Sequence, residues 1–506
     1  MNDGLAIQEN TPSARAAGRV LGPLLAVAVY FLIRARVDGE SALTAEGVSV
    51  AAIGALMAVL WITEALPLPA TSLIPVALFP VLGVAPIREA AAPYAHEFIF
   101  LFLGGFMLAQ AVEKWDLHKR VALLTLLLVG TRPARLVLGF MTASALLSMW
   151  ISNTATTVMM LPIAMSVVGW LAAGDGNGVD RKARDEFAAC LLLGVAYGAT
   201  IGGVATIIGT PPNVFLAGFL KDTYGIQLGF GQWMLVGLPL SIVFLPVSWL
   251  VLTRLVFPVR IPPGEGGRGL IRLELSALGP MGPPERAVAG VFLCTAAAWI
   301  ARQPVSNLEW VQRNVPSVTR LHDAGIAVLA ALVLFALPAG RGRGSALLDW
   351  NSARRLPWGV LLLFGGGLSL AQSVQQSGLA SWLSTLFTGL TGQPTFVLVL
   401  AVVVSIIFLT ELTSNTATAA TFLPVLGAVA VGAGVAPVVL VVPAALAASC
   451  AFMLPVATPP NAVVFGSDRI RIGHMVRAGL ALNVIAIVLI PILAVTLLRW
   501  VFGAVE

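Results

Sequence analysis

The sequence predicts an all-α polytopic membrane protein built from two repeats, and three observations carry this prediction. Hydrophobic residues make up 58% of the 506 residues and charged residues only 11%, against roughly 25% charged residues in a water-soluble domain. Apolar stretches long enough to cross a hydrocarbon core of about 30 Å recur along the chain. Two polar motifs, Ser-Asn-Thr-Ala and Thr-Pro-Pro-Asn, each occur twice inside these stretches. The composition therefore excludes an ordinary soluble multidomain protein.

The hydropathy pattern places a polar tail at residues 1–19 and about eleven helical spans after it. The first apolar run begins at Val20, directly after Arg19. We expect spans near residues 20–34, 48–66, 97–113, 188–206, 231–257, 286–301, 323–339, 357–376, 395–410, 436–454 and 479–501.

The formal net charge of +6 comes mostly from arginines between the apolar stretches. The segment 254–286 contains five Arg and three Glu, and cytoplasmic loops of membrane proteins are enriched in basic residues. We therefore place this segment on the cytoplasmic side as a polar loop, and we expect no nucleic-acid partner.

The chain repeats itself at a nearly constant offset. SNTATTVMMLP begins at Ser152 and SNTATAATFLP begins at Ser414, and seven of their eleven positions are identical. IIGTPPN at Ile207 and PVATPPN at Pro455 form a second pair in the same order. We therefore divide the chain into a first repeat, 20–253, and a second repeat, 287–503. Duplicated halves with interrupted helices are typical of secondary transporters. Hydropathy leaves open whether the repeats are inverted, because that depends on the number of crossings in each half.

Each Ser-Asn-Thr motif interrupts an apolar stretch at membrane depth. No charged residue occurs from Leu136 to Gly174, and Ser152 lies near the middle of this stretch. The 15 residues Leu136–Trp150 make about 22 Å of helix, which is too short to cross a bilayer. The pattern predicts a re-entrant hairpin whose tip is buried in protein or faces water.

Ser, Asn and Thr favour helix N-termini, where side-chain oxygens accept hydrogen bonds from unpaired backbone N–H groups. Helices beginning near Ala155 and Ala417 would direct their positive dipole ends to the hairpin tips. Two such ends suit a small ligand with two negative charges. The alternative is that each motif only joins neighbouring helices, as polar residues in membrane helices commonly do. The paired occurrence favours a binding site.

The Thr-Pro-Pro-Asn motifs predict helix breaks beside these tips. Proline lacks an N–H group, so Pro211 and Pro459 leave upstream carbonyl oxygens without partners. Free carbonyls, hydroxyls and an Asn amide oxygen suit Na⁺. Gly209 allows close approach of the backbone at the first break, and Ala457 occupies the matching position in the second.

At these motifs, and at WITEALPLPATSLIP (Trp61–Pro75), the chain resembles the divalent anion:sodium symporter family over roughly residues 20–503. The resemblance implies a homodimer in the cytoplasmic membrane, with about eleven spans, two inverted repeats, two re-entrant hairpins and an elevator mechanism. It implies substrate contact by Ser152, Asn153, Thr154, Ser414, Asn415 and Thr416, with Thr210, Pro211, Thr458 and Pro459 nearby.

The resemblance also implies two sodium sites. The first would use Ser148, Asn153 and Gly209, with Ser152 adjoining. The second would use Thr410, Thr413, Asn415 and Ala457. Thr413 stands where a smaller residue is usual in the family, and its main-chain carbonyl would be the ligand.

Glu411 is the only charged residue between Arg355 and Asp468. An ionised carboxylate inside a membrane is unfavourable unless it is paired or lies near a cation. One interpretation is a proton-linked or sodium-adjacent group. The other, which we favour, is a protonated, hydrogen-bonded side chain that braces the hairpin. Its counterpart in the first repeat is Met149, so the repeat does not require it.

The leading functional hypothesis is therefore sodium-coupled symport of a C4-dicarboxylate such as succinate, malate or fumarate. Dicarboxylate exchange without sodium drive, and symport of sulfate or another divalent anion, are alternatives. An enzyme is a remote alternative, because the sequence contains neither a His-Glu-x-x-His motif, nor a Gly-x-Ser-x-Gly motif, nor paired intramembrane acids.

Overall fold

The structure is a computed structural model that describes residues 12–36, 43–130, 132–173, 180–259, 266–340 and 346–502. These residues are almost entirely helical, and they include no β-strand. The predicted all-α class is confirmed.

The described residues of the first half form twelve α-helices, together with a 3-10 helix at Ala92–Ala95 and a π-helical turn at Val251–Val256 that continues the last of them. They are α1 (Pro12–Arg36), α2 (Ala45–Thr63), α3 (Leu68–Thr71), α4 (Ile74–Val81), α5 (Ile87–Ala91), α6 (Glu97–Lys114), α7 (Leu117–Val129), α8 (Pro133–Ser148), α9 (Asn153–Ala173), α10 (Arg181–Gly203), α11 (Pro211–Tyr224) and α12 (Phe230–Leu250).

The described residues of the second half form a 3-10 helix at Thr388–Leu390 and thirteen α-helices. These are α13 (Gly266–Ala277), α14 (Pro283–Ser306), α15 (Glu309–Asn314), α16 (Pro316–Thr319), α17 (Asp323–Ala336), α18 (Trp350–Ala353), α19 (Trp358–Gln376), α20 (Leu379–Thr385), α21 (Thr395–Thr410), α22 (Asn415–Gly432), α23 (Val438–Ala448), α24 (Pro459–Phe465) and α25 (Ile472–Phe502).

Within the described residues, eight helical segments are long and apolar enough to cross a membrane: Arg15–Ala35, Ala45–Thr63, Ile87–Lys114, Arg181–Gly203, Phe230–Val256, Pro283–Ser306, Asn415–Gly432 and Ile472–Phe502. The predicted spans 323–339, 395–410 and 436–454 correspond to the shorter helices α17, α21 and α23. Helix α23 stops at Ala448, before the predicted end of its span, and residues 449–458 are not helical.

Two segments expected to lack regular structure contain helix. Helix α1 begins at Pro12, within the expected polar tail, and residues 1–11 lie outside the described part. Helix α13 lies within the expected loop 254–286 and packs against α7. Its Ile271 is buried while Arg272 is exposed. An amphipathic segment of this kind is stable as a helix because one face is covered by a neighbour, a condition that composition alone does not reveal.

The order of elements around the polar motifs is the same in both halves. Helices α8, α9, α10 and α11 are followed by α12, just as α21, α22, α23 and α24 are followed by α25. One Ser-Asn-Thr motif lies between the first two helices of each series, and each Thr-Pro-Pro-Asn motif begins the fourth. Proline at the first helical position fits here, because that N–H group has no intrahelical partner.

Helix α10 lies in the centre of the molecule, buried from Phe187 to Gly203. It approaches α8 closely, since a Cβ atom added at Gly198 would lie 2.6 Å from Met141 O and one at Gly202 would lie 2.2 Å from Ala145 O. Small residues allow such backbone contact between membrane helices. This contact fixes the first hairpin arm against the helix that leads into the first break.

Candidate binding site

The first Ser-Asn-Thr motif forms the turn between α8 and α9. Ser152 Oγ accepts a hydrogen bond from Ala155 N at 3.3 Å, and Ser152 O accepts one from Thr156 N at 3.0 Å. Ser152 therefore caps the helix, as its residue type predicts. The side chains of Ser152, Asn153 and Thr154 are partly exposed, so a ligand can reach this helix N-terminus.

The second motif forms the equivalent turn between α21 and α22. Ser414 has an extended backbone, and its carbonyl accepts from Thr418 N at 2.8 Å. The hydroxyl groups of Thr413 and Thr418 lie 2.6 Å apart, so the Thr413 side chain braces the turn. Ser414 and Asn415 are partly exposed, whereas Thr416 is nearly buried.

Both Thr-Pro-Pro-Asn motifs end a break between two helices, and the two breaks have the same backbone shape. Thr210 has φ −142° and ψ 142°, and Thr458 has φ −143° and ψ 148°. Gly209 N donates to Thr206 O at 3.4 Å, and Ala457 N donates to Leu454 O at 3.2 Å. Thr210 and Thr458 are buried, Pro211 is partly exposed and Pro459 is exposed.

The asparagine of each motif has a role that the sequence analysis missed. Asn213 Nδ2 donates to Thr206 O at 2.8 Å, and Asn461 Nδ2 donates to Leu454 O at 3.0 Å and Ala451 O at 3.2 Å. Both side chains are fully buried. Each amide nitrogen therefore donates hydrogen bonds to carbonyl groups that lack helical partners at the break. Among the described residues, neither Oδ1 atom has a hydrogen-bond partner.

Oxygen atoms converge around Asn153 in the first repeat. Its Oδ1 accepts a short hydrogen bond from Ser148 Oγ and lies 3.3 Å from both Gly209 O and Ala199 O. Carbonyl and amide oxygens have no proton to share. Close approach of these oxygen atoms is therefore favourable only under one of two conditions. Either the Asn153 amide turns its nitrogen toward the carbonyl oxygens, or a cation lies between the oxygen atoms. Unwound carbonyls of this kind coordinate Na⁺ in transporters.

A matching group surrounds Asn415 in the second repeat. Thr410 Oγ1 lies 2.8 Å from Asn415 Oδ1 and 2.9 Å from Ala448 O. A hydroxyl carries one hydrogen and cannot donate fully to both oxygen atoms. These oxygens could therefore also serve as ligands for a cation. Of the expected ligands, Ala457 lies buried in the adjacent break. The Thr413 hydroxyl points into the turn, which leaves its carbonyl as the ligand candidate.

The two repeats contribute jointly to one region. Helix α9 packs against α24, and α22 packs against α11. Each Ser-Asn-Thr helix thus contacts the Thr-Pro-Pro-Asn helix of the other repeat. Neither hairpin turn contains Lys or Arg, so the positive groups that the turns themselves present are helix N-termini.

Glu411 lies next to this region, at the end of α21, and is 3% exposed. Its carboxylate accepts hydrogen bonds from the backbone of the second break and from Asn483 on α25. Asn483 was not among the site residues predicted from the sequence, although it is the lone Asn in the apolar stretch 479–501.

Comparison with known proteins supports the family resemblance of these motifs. The family profile described as "Sodium:sulfate symporter transmembrane region" matches residues 19–504. The sodium-dependent dicarboxylate transporter SdcS of Staphylococcus saprophyticus is 41% identical over 487 residues, which cover 96% of this chain and 92% of the relative. SdcS of Staphylococcus aureus strain bovine RF122 is 39% identical with the same coverage.

Solved structures of more distant transporters share the fold. The YdaH transporter of Alcanivorax borkumensis aligns with a TM-score of 0.53 at 16% identity, over 84% of this chain and 88% of that chain. MtrF of Neisseria gonorrhoeae, described as one of a class of antimetabolite efflux pumps, aligns with a TM-score of 0.56 at 13% identity, over 85% and 86%. The nearly complete profile match and the identity to SdcS together show that this chain belongs to the sodium:sulfate symporter family, the divalent anion:sodium symporter family that its paired motifs resemble.

Proposed function

We propose that this protein is a secondary active transporter of the cytoplasmic membrane that couples inward sodium movement to uptake of a C4-dicarboxylate such as succinate, malate or fumarate. The observation that carries the proposal is the pair of equivalent oxygen clusters, around Asn153 and Asn415, each next to a partly exposed helix N-terminus. The names of the SdcS relatives support sodium and dicarboxylate as the transported species.

In this proposal sodium binds first. A cation between Ser148, Asn153 and Gly209 draws the Asn153 amide oxygen inward, and a second cation among Thr410, Thr413, Asn415 and Ala457 does the same in the other repeat. Both ions offset part of the dianion's charge. Because the occupied clusters hold the two turns in their binding geometry, substrate affinity rises with sodium occupancy, which is how differential affinity produces coupling.

The substrate carboxylates then bind at the two turns. Backbone N–H groups at the start of α9 and α22 donate to them, with side chains of Ser152, Asn153, Thr154, Ser414, Asn415 and Thr416 around them. Thr210, Pro211, Thr458 and Pro459 border the same region. We place both turns within the membrane as tips of re-entrant hairpins in inverted repeats, and we propose that the protein works as a homodimer in which the site-bearing helices move as an elevator.

Uptake by proteoliposomes tests the proposed function. We expect purified protein to accumulate labelled succinate under an inward Na⁺ gradient and to lose this uptake when choline replaces Na⁺. Equal uptake in choline would contradict sodium coupling, and uptake that requires preloaded dicarboxylate would indicate exchange. Competition by sulfate but not by malate would identify an inorganic dianion as the substrate, and gradient-independent chemical turnover in detergent would indicate an enzyme.

A further inference from the structure

Thr206 joins the first helix break to the first hairpin turn. Its hydroxyl group donates a hydrogen bond to the main-chain carbonyl of Met149, the residue that directly follows Ser148 at the end of α8. Its own carbonyl accepts from Gly209 N at 3.4 Å and from Asn213 Nδ2 at 2.8 Å. Thr206 is fully buried. One residue thus contacts the hairpin turn, the break and the first turn of α11.

These contacts continue into the oxygen cluster around Asn153. Ser148 Oγ donates to Asn153 Oδ1, and this amide atom lies 3.3 Å from Gly209 O. Because Ser148 is the neighbour of Met149 in the chain, the path of contacts that leaves Thr206 through its hydroxyl passes through this cluster. It returns to the Thr206 carbonyl through Gly209 N. The hydroxyl of Thr206 therefore fixes the hairpin turn, which carries Ser148 and Asn153, relative to the break, which carries Gly209.

The bond from the Thr206 hydroxyl is not the local bond that threonine makes inside a helix. There the hydroxyl donates to the carbonyl four residues earlier, as Thr295 does to Val291 O at 2.7 Å. Thr206 lies between α10 and α11, and its partner Met149 is 57 positions away. Because residues 204–210 have no helical hydrogen-bond ladder, bonds to side chains determine their shape. The bond to Met149 therefore constrains the tertiary structure and not only the local backbone.

The second repeat joins the same two positions by a different bond. Glu411 matches Met149, and Leu454 matches Thr206. Leu454 N donates to Glu411 Oε2 at 3.2 Å, and Leu454 O accepts from Asn461 Nδ2 at 3.0 Å. The side chain on the turn is the acceptor here, whereas in the first repeat the side chain on the break is the donor. Both repeats therefore hold turn and break together, although the residue types differ.

We propose that Thr206 is a positioning residue of the first sodium site. Its hydroxyl holds the hairpin turn and the helix break at the separation that lets Ser148, Asn153 and Gly209 bind one ion. This inference rests on the proposed sodium-coupled function and deepens it. Thr206 acts through the main chain of Met149 and Gly209 and is not itself a ligand. Loss of its hydroxyl therefore lowers sodium affinity, while the substrate site keeps its geometry once sodium is bound.

The test uses three substitutions that separate the hydroxyl group of Thr206 from its methyl group. Thr206→Val keeps the size and removes the hydroxyl, Thr206→Ser keeps the hydroxyl and removes the methyl group, and Thr206→Ala removes both. The sodium concentration for half-maximal succinate uptake is measured in proteoliposomes at saturating succinate. We expect Thr206→Val to raise this concentration about 5-fold or more, because the buried Met149 carbonyl loses its donor. Thr206→Ser should stay within about 2-fold of the unmodified protein, because the donor remains.

Sodium-dependent thermal stabilisation in detergent, without substrate, provides a readout that does not depend on transport. The sodium concentration for half of this stabilisation should rise in Thr206→Val by a similar factor, while the half-saturating succinate concentration at saturating sodium should change little. Thr295→Val is the matched control, because its buried hydroxyl donates to Val291 O within α14. Loss of that local bond can lower the unfolding temperature, but it should leave the sodium dependence unchanged.

An unchanged sodium dependence in Thr206→Val, with the unmodified protein sodium-dependent, would overturn this inference alone. So would a larger shift in Thr206→Ser than in Thr206→Val, because that order identifies packing of the methyl group as the cause. If Thr206→Val does not fold, Thr206→Ser and Thr206→Ala decide, since they differ only in the hydroxyl. A higher sodium requirement in Thr206→Ala supports the inference, and an equal requirement contradicts it. Sodium-independent uptake by the unmodified protein would instead overturn the proposed function.

Discussion

At the scale of single residues, the site depends on small side chains that let polar atoms meet. Gly203 ends α10 next to the Asn153 amide, and a Cβ atom added there would lie 2.4 Å from Asn153 Oδ1 and 3.0 Å from Gly209 O. Real Cβ atoms essentially never come within 3.0 Å of another atom, so Asn153 Oδ1 must move, and Gly209 O lies at that limit. A methyl group at this position therefore displaces one proposed ligand of the first sodium ion and crowds another.

Gly203→Ala should weaken sodium binding specifically. We expect the half-saturating sodium concentration for uptake to rise at least about 10-fold, because misplaced ligands lose most of their interaction with the ion. Gly290→Ala is the matched control, since a Cβ atom there meets nothing within 4 Å in helix α14. A sodium dependence equal to that of the control would remove Gly203 and Asn153 from the cation site.

At the scale of elements, the close contact between α8 and α10 positions the first hairpin. Gly202 lies one residue before Gly203 but on a different face, against the main chain of α8 at Ala145. Main-chain atoms cannot move aside as a flexible side chain can. Gly202 thus allows α10 to pack closely against α8, whereas Gly203 leaves room for the atoms of the proposed cation cluster.

Gly202→Ala should lower stability rather than sodium affinity alone. Overpacking of this kind typically costs about 1–3 kcal/mol, which should appear as a lower midpoint of thermal unfolding in detergent. Gly325→Ala in α17, where a Cβ atom meets nothing within 4 Å, should leave the midpoint nearly unchanged. If both variants unfold at the same temperature, α8 and α10 do not pack as described.

At the scale of the whole molecule, ion pairs tie a site-bearing helix to its surroundings. Lys221, in the last turn of α11, donates a short hydrogen bond to Glu97 at the start of α6. Oδ1 of the next residue, Asp222, lies 3.0 Å from Nε2 of His96. If α11 moves relative to α6 during transport, as we propose, these pairs stabilise one end state and must break in the other.

Reversing this charge pair should test whether it matters to transport. Lys221→Glu places two carboxylates together, so we expect the maximal uptake rate to fall about 10-fold or more, because like charges this close are strongly unfavourable. Adding Glu97→Lys should restore much of the rate. Arg313→Glu is the control, since its pairing with Glu309 is highly exposed and such surface pairs contribute little. A double variant as impaired as the single one would contradict a role for the pair.

Much of the architecture was accessible from the sequence because membrane helices and helix breaks have strong local signals. The turns at Ser152 and Ser414 follow from helix-capping residue types, and the breaks before Pro211 and Pro459 follow from the missing N–H of proline. Helix α13 was not predicted, because its polar residues hide an apolar face that only packing reveals. The early start of α1 was not predicted either.

The amino-acid sequence by itself determined the helical membrane class, the duplicated motifs, and the absence of basic residues from both hairpin turns, since each depends on residue type and spacing. Only the tertiary structure decided which atoms meet: Asn153 with Gly209 and Ala199, and Glu411 with Phe452, Met453, Leu454 and Asn483. These contacts join segments far apart in the chain. Their hydrogen-bond donors and acceptors acquire partners only when α9, α10, α23 and α25 pack together, so no local pattern could have shown which groups surround Glu411.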